Sequence, residues 1–228
     1  LPAMDVLSDM DFNFVDVRHE QAAVHMADAW GRITGQPGIS MYTTPGLANA
    51  IPGLAHAFHS ESPVLSISGS ANLSELGRGA MQEIDQVAMA APVTKGSWMV
   101  TDARRIPDFI ARALRTAYSG RRGPVHLTIP MDVQQQVVSE EDVHFYPPEQ
   151  YRGDRMLPAS RKLVEEAIHL LSQAQRPLVI ASGPAAYGDS GEVLQNFIET
   201  AQLPLLTEEQ ARGLVSDEHP NCFGFFER

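Results

Sequence analysis

Arg18-His19-Glu20 puts a carboxyl group where a short β-rich run, Phe14-Val15-Asp16-Val17, gives way to a segment with helical spacing. In open α/β sheets the ligand crevice lies at the carboxyl ends of the strands. Gln21-Ala22-Ala23-Val24 follows at once, so Glu20 is expected to meet small apolar neighbours that desolvate it and raise its pKa. The plainer alternative is a glutamate favoured by the positive end of a helix. A second candidate strand, residues 39–43, ends in Thr43-Thr44-Pro45-Gly46-Leu47-Ala48-Asn49. Thr44 is expected to cap the helix that follows, Gly46 to let a ligand approach the backbone, and Asn49 to bond into the crevice from the first turn. An ordinary strand-to-helix turn uses the same residue types. A third strand ends at Ser68-Gly69-Ser70, and Gly79-Ala80-Met81-Gln82-Glu83-Ile84-Asp85-Gln86 then offers an uncharged amide, Gln82, beside the flexible Met81. The alternative for Gln82 is a helix surface. Three successive strand ends bearing polar or glycine residues weigh more together than singly.

These side chains need a scaffold, and the spacing of apolar residues describes one. Helical periodicity runs over residues 22–33, with Gly35-Gln36-Pro37-Gly38 closing the helix, and over 47–58 and 106–118. Pro52 is expected to bend the second of these or delay its start. Apolar runs at 14–17, 39–43, 64–68 and 124–129 read as strands. Strands alternating with helices of this length predict an α/β fold: a doubly wound parallel sheet with helices on both faces. Glu140-Glu141-Asp142, Pro147-Pro148 and Gly153 interrupt the pattern, which resumes as helix 160–172, strand 177–182, helix 192–200 and strand 203–207. The expected organisation is therefore a domain over 1–138, a linker over 139–158, and the first part of a second α/β domain over 159–228. Leu1-Pro2 at one end and Phe225-Phe226-Glu227-Arg228 at the other lack the usual loose polar character of termini. An internal piece of a longer protein is expected, with a processed chain as the alternative.

Composition removes several function classes. The 228 residues carry a net charge of −11, which argues against broad binding to nucleic-acid phosphates. One cysteine, Cys222, permits neither an intrachain disulfide nor a four-cysteine zinc site, and fits a reducing, cytoplasmic setting. No apolar run approaches the ~18 residues of a membrane span, and the start has no signal-peptide pattern. Lys95 and Lys162 lack a phosphate-loop context, and no Gly-x-Gly-x-x-Gly follows a strand. His56 and His59 lie three apart on a helix without a third ligand in view, so surface histidines are expected and no metal site is assigned. Gly188-Asp189-Ser190-Gly191 imitates a protease tetrapeptide but suits a helix start, with Asp189 or Ser190 as N-cap. Arg104-Arg105 and Arg121-Arg122 read as solvated helix-end charges, and Cys222 as a small apolar residue.

In order along the chain stand Arg18-His19-Glu20-Gln21-Ala22-Ala23-Val24-His25-Met26-Ala27-Asp28-Ala29, Thr44-Pro45-Gly46-Leu47-Ala48-Asn49-Ala50, Pro63-Val64-Leu65-Ser66-Ile67-Ser68-Gly69, Met81-Gln82-Glu83-Ile84-Asp85, and Gly123-Pro124-Val125-His126-Leu127-Thr128-Ile129-Pro130-Met131-Asp132-Val133. Together they resemble the pyrimidine-binding domain of thiamine-diphosphate enzymes, in the branch of acetolactate synthase, pyruvate oxidase and 2-hydroxyacyl-CoA lyase. The likeness covers about residues 1–138. It continues more weakly through 176–183 and Ala211-Arg212-Gly213 with Asp217-Glu218-His219-Pro220, which look like the opening of that group's central domain.

The resemblance implies that Glu20 hydrogen-bonds a ring nitrogen of the cofactor's aminopyrimidine and favours the imino tautomer that deprotonates the thiazolium. The cofactor then acts as electron sink for making or breaking a carbon–carbon bond next to a carbonyl. Thr44, Pro45, Gly46 and Asn49 match the loop beside the pyrimidine, and Gln82 a glutamine facing the reacting end. Two features depart from the pattern: the turn Thr43-Thr44-Pro45-Gly46 is one residue shorter than Thr-Ser-Gly-Pro-Gly, and Met81 replaces an aromatic residue. The Gly-Asp-Gly motif and later asparagine that hold the diphosphate and Mg²⁺ are not in this sequence, so a separate domain is implied to carry them. The family places the cofactor between subunits, implying a homodimer or homotetramer acting on a small molecule, a 2-oxo acid or a 2-hydroxyacyl-CoA. Two rivals stand beside this reading: a non-catalytic assembly or regulatory module of the same fold, and a nucleotide-binding protein. FAD or ADP in the second domain is left open.

Overall fold

Apolar residues that recur every second position in the strands, and every third or fourth in the helices, generate two parallel sheets. The computed structural model describes residues 2–11, 13–151, 158–188 and 190–226. The chain divides into two units, Leu1–Asp154 and Arg155–Arg228. The first contains α1 (Pro2–Ser8), α2 (Glu20–Thr34), β1 (Gly38–Tyr42), α3 (Thr44–His59), β2 (Val64–Ser70), α4 (Gln86–Ala90), β3 (Ser97–Met99), α5 (Ile106–Tyr118), β4 (Val125–Pro130), α6 (Met131–Gln134) and α7 (Pro148–Tyr151). Its strand order is β1-β2-β4-β3, with every pair parallel.

Both faces of this sheet are covered. Val24 and Ala27 of α2 and Leu47, Ala50, Leu54 and Ala57 of α3 pack with Tyr42 and Val64 on one face. Ala113, Leu114 and Ala117 of α5 pack with Leu65, Val125 and Leu127 on the other. Each fully buried Val or Leu here contributes about 1.5–3 kcal/mol of transfer free energy. The doubly wound α/β architecture is therefore present as the periodicity implies.

Two local expectations need correction. Residues 14–17 form no strand; Phe14 and Val15 are exposed. Intrinsic β preference cannot substitute for a ladder, and these residues pair with none of the four strands. Helix α3 runs unbroken through Pro52 and starts at Thr44. The carbonyl that Pro52 deprives of a donor is that of Ala48, which is exposed, so water can take the lost bond.

The second unit holds α8 (Arg161–Gln173), β5 (Val179–Ala181), α9 (Ser190–Thr200), β6 (Leu205–Thr207) and β7 (Cys222–Phe225). Its three strands are parallel in the order β5-β6-β7. Ala181, Ile198, Leu203, Leu205, Ala211 and Val215 form its core. Among the described residues no helix is long and apolar enough to cross a membrane.

Candidate active site

The carboxyl ends of β1 and β2 are tied together by one acceptor. Thr44 Oγ1 donates to the Gly69 carbonyl at 3.1 Å, and the buried Gln86 of α4 donates its Nε2 to the same oxygen at 2.9 Å. Thr44 is thus not the cap expected from sequence. Thr43 occupies the N-cap position with no side-chain bond, and Thr44 is already helical. Pro45 lacks one of the N–H groups that a cap would satisfy, so the threonine hydroxyl turns inward to β2 instead. Gly46 is buried, while Pro45 and Asn49 lie on the exposed side of α3, with Asn49 just beyond the first turn.

Glu20 opens α2, directly after the N-cap His19, whose Nδ1 accepts the Gln21 N–H. Its carboxylate leans over the turn at residues 43–46: a Cβ added to Gly46 would lie 2.8 Å from Glu20 Oε1 and 2.8 Å from Tyr42 Cβ. Asn49 Nδ2 donates to Glu20 Oε2 at 3.1 Å. The pKa of Glu20 is lowered, first by a bond from its own backbone N–H, then by Asn49, with partial burial opposing and His19 adding a smaller favourable charge. This reverses the expected upward shift. Glu20 is half-buried, and two aimed donors outweigh the desolvation that its alanine neighbours supply.

An open cleft of about 600 Å³ lies beside this turn, lined by Thr43, Thr44, Gly69, Ser70, Met81 and Gln82 among others. Gln82 is not on a helix surface. It sits exposed in a loop with φ 61, and α4 begins only at Gln86, where Asp85 accepts the Ala88 N–H at 2.9 Å. Glu83 organises the loop: its carboxylate accepts the N–H groups of Gly77, Gly79 and Ala80 at 2.5, 3.1 and 3.0 Å. Those bonds, Gly77's foremost, hold the Glu83 pKa below its ordinary value. The structure therefore brings Thr44 and Gln82 to one cleft. Glu20, Gly46 and Asn49 form an adjoining cluster, joined to the cleft through residues 43–46 rather than lining it.

Beneath both runs a polar seam that sequence reasoning missed. Ser40 and Tyr42, Ser66 and Ser68, and His126 and Thr128 occupy matching positions of β1, β2 and β4. Tyr42 and Ser66 share a very short hydrogen bond, Ser66 Oγ meets His126 Nδ1 at 2.8 Å, and His126 Nε2 reaches Thr128 at 3.0 Å and Ser68 at 3.3 Å. Burial pushes the His126 pKa down to about 4 and, as the largest cause, the Tyr42 pKa up to about 12. The signal was present in the alternation Ser-x-Ser and His-x-Thr within otherwise apolar runs.

The remaining motifs take structural roles. His56 pairs with the buried Asp28 at 2.9 Å, and Asp28 also holds Arg32 and Ser62. His25 brings a third ligand-type atom within 4.8 Å of those of Asp28 and His56, a neighbour that the His56/His59 spacing did not reveal. Lys95 donates to the Thr116 and Ser119 carbonyls at the end of α5. Arg104 and Arg121 pair with Asp102 and Glu61. Ser190 opens α9 and donates to the Ala185 carbonyl; Asp189 lies outside the described residues. Cys222 is half-buried in β7 against the second core.

Comparison with known proteins bears on this geometry. Residues 1–89 match the family model described as "Thiamine pyrophosphate enzyme, N-terminal TPP binding domain", and residues 164–228 match "Thiamine pyrophosphate enzyme, central domain". The chain is 32% identical to a probable acetolactate synthase large subunit of Methanocaldococcus jannaschii, over 98% of this chain and 38% of that protein. It is 35% identical to a 2-hydroxyacyl-CoA lyase of Arabidopsis thaliana, over 92% of this chain and 37% of the relative. It is also 35% identical to an oxalyl-CoA decarboxylase of Escherichia coli, over 91% and 37% respectively. The chain thus spans less than two-fifths of the length of these relatives.

Proposed function

We propose that this chain, which belongs to the thiamine pyrophosphate enzymes, contributes the pyrimidine-binding part of a lyase or transferase that makes or breaks a carbon–carbon bond next to a carbonyl. The substrate is a 2-oxo acid, in the manner of the acetolactate synthases, or a 2-hydroxyacyl-CoA, in the manner of the 2-hydroxyacyl-CoA lyases. The observation that carries this reading is the Glu20 carboxylate, fixed by Asn49 and lying over the bare Cα of Gly46. That arrangement fits the cofactor's ring: an acceptor held in one orientation stands beside a backbone shelf free of side chain. When bound, thiamine diphosphate supplies the electron sink for the reaction.

The chain's own residues supply placement and proton control. Glu20 would share its proton with a ring nitrogen of the pyrimidine, and Asn49 keeps the carboxyl group from rotating away. Covering Glu20 with a flat heterocycle removes water and raises its proton affinity from the low value that its two donors set. Thr44, Pro45 and Gly46 wall the ring, and Gln82 faces the reacting end from the cleft. The diphosphate and its Mg²⁺ are held by a further part of the complete enzyme, and the cofactor is covered by a second subunit of a homodimer or homotetramer. The single free cysteine suits a cytoplasmic enzyme. FAD in the second unit would show as flavin absorbance after purification, and ADP as a nucleotide released on denaturation.

The decisive experiment is Glu20→Gln in the full-length enzyme. A proton-handling group of this kind is worth ~10²–10⁴ in rate. Turnover is expected to fall by that order, with activation by cofactor weakened and the melting curve kept. Wild-type turnover and activation in the variant would overturn the proposal.

A further inference from the structure

The cleft beside Gln82 holds one cation, Arg78, among its lining residues. Several of the chain's other arginines are committed: Arg32, Arg104, Arg121 and Arg212 carry carboxylates, and Arg112 lies over the Trp98 ring. Arg78 is exposed and makes no ion pair with a described residue. Glu83, the acid that organises this loop, directs its oxygens to backbone amides and forms no ion pair with the guanidinium. Its Oε1 is taken by the Gly77 N–H and its Oε2 by those of Gly79 and Ala80.

The same clamp fixes where the guanidinium starts from. Gly77 and Gly79 flank Arg78 with φ 78 and 74, conformations open to glycine and costly for other residues. Both of their amides are captured by Glu83, and the Arg78 N–H itself donates to the Glu75 carbonyl at 3.1 Å. A long side chain is thus projected into the cleft from a backbone held on both sides. Guanidinium is always charged and offers a planar fork that matches a carboxylate with two parallel bonds. In a chain of net charge −11, a cation on a concave surface that forms no ion pair with a described residue is a place where an anionic ligand can settle. Glu75 also lines the cleft and disfavours dianions there.

We propose that Arg78 reads the carboxylate of the substrate, selecting a 2-oxo acid over an uncharged acyl donor while Gln82 stands by the reacting carbonyl. This deepens the proposed function and rests on it. In the full-length enzyme, Arg78→Met is expected to raise KM for pyruvate by about 10–100-fold, the usual worth of a charge-assisted hydrogen bond. The rise for acetoin, which has no carboxylate, is expected to be far smaller, and Arg78→Lys to restore part of the loss. Binding of oxamate, an unreactive carboxylate, is followed by calorimetry and should weaken in parallel. Unchanged pyruvate KM and oxamate affinity in Arg78→Met would sink this inference and leave the Glu20 test untouched. Weakened binding of an acyl-CoA with pyruvate unaffected also overturns it, because the guanidinium would then read phosphate. Loss of oxamate binding in Arg78→Met, in an enzyme that turns over neither 2-oxo acids nor 2-hydroxyacyl-CoA, supports the anion site and refutes the proposed function alone.

Discussion

Gly46→Ala sets two known effects against each other within one residue. Gly46 lies in the first turn of α3, where alanine is favoured over glycine by about 1 kcal/mol. Propensity alone therefore predicts a more stable protein. The structure predicts the opposite sign, because the new methyl carbon would lie 2.8 Å from Glu20 Oε1, 2.8 Å from Tyr42 Cβ and 2.9 Å from Glu20 Cγ. The glutamate tip can swing aside, but only by breaking its bond with Asn49. Tyr42 has no retreat: it is buried and its hydroxyl is anchored to Ser66. Overpacking of this kind costs about 1–3 kcal/mol, so the net loss centres on about 1 kcal/mol, or roughly a 2–4 °C fall in Tm. Thermal melting followed by circular dichroism measures it, alongside the half-saturation for thiamine diphosphate, which should rise as Glu20 is displaced. In a Glu20→Ala background the penalty should shrink without vanishing, since Tyr42 remains. A rise in Tm with unchanged cofactor half-saturation would refute the close approach of Gly46 and Glu20 and, with it, the shelf.

Two further perturbations probe the scaffold. His126 is buried and neutral, with a folded-state pKa near 4 against an ordinary value near 6.5. The unfolded chain therefore binds a proton first, and stability should fall as pH drops from about 6.5 to 4, by up to ~3 kcal/mol. Urea midpoints at pH 7 and pH 4.5 should show this, and an equally steep loss in His126→Asn would disprove the assignment to His126. Thr44→Val and Gln86→Met should each cost ~1 kcal/mol or less, because the Gly69 carbonyl keeps its other donor. The double variant orphans that oxygen, so its loss should exceed the sum by ~1–2 kcal/mol in chemical denaturation. Strict additivity would show that the two donors do not share the carbonyl.

The helices were legible because their apolar stripes are long. For α5 the predicted bounds, 106–118, coincide with those observed, and for α2 and α8 they fall within two residues. Buried strands were legible for the same reason. Residues 14–17 misled because β preference is local while strandhood is a pairing property. In the Glu20 cluster, only the turn after β1 was legible as residue types at a strand end; Glu20 follows no strand, and it is the start of α2 that brings it beside Gly46 and Asn49. The site's electrostatics were not legible: the downward shift of Glu20 depends on where the Asn49 amide points, which no spacing encodes. Glu83 went unnoticed because its role is a backbone clamp, visible only once the N–H vectors of Gly77, Gly79 and Ala80 are known.

The hydroxyl and imidazole groups threaded across β1, β2 and β4 also bear on how the sheet finds its alignment. In most doubly covered parallel sheets either face is oil, and a strand displaced by one residue still meets oil. Here a single-step slip of β2 would turn Leu65 and Ile67 toward His126 and Thr128 and drive Ser66 and Ser68 against Leu114 and the alanines of α5. Each stranded polar group costs about 1–3 kcal/mol, so misalignment is penalised twice over. The buried dipoles thus act as teeth of a ratchet, holding β1 and β2 at the one offset that sets the Thr44 hydroxyl against the Gly69 carbonyl.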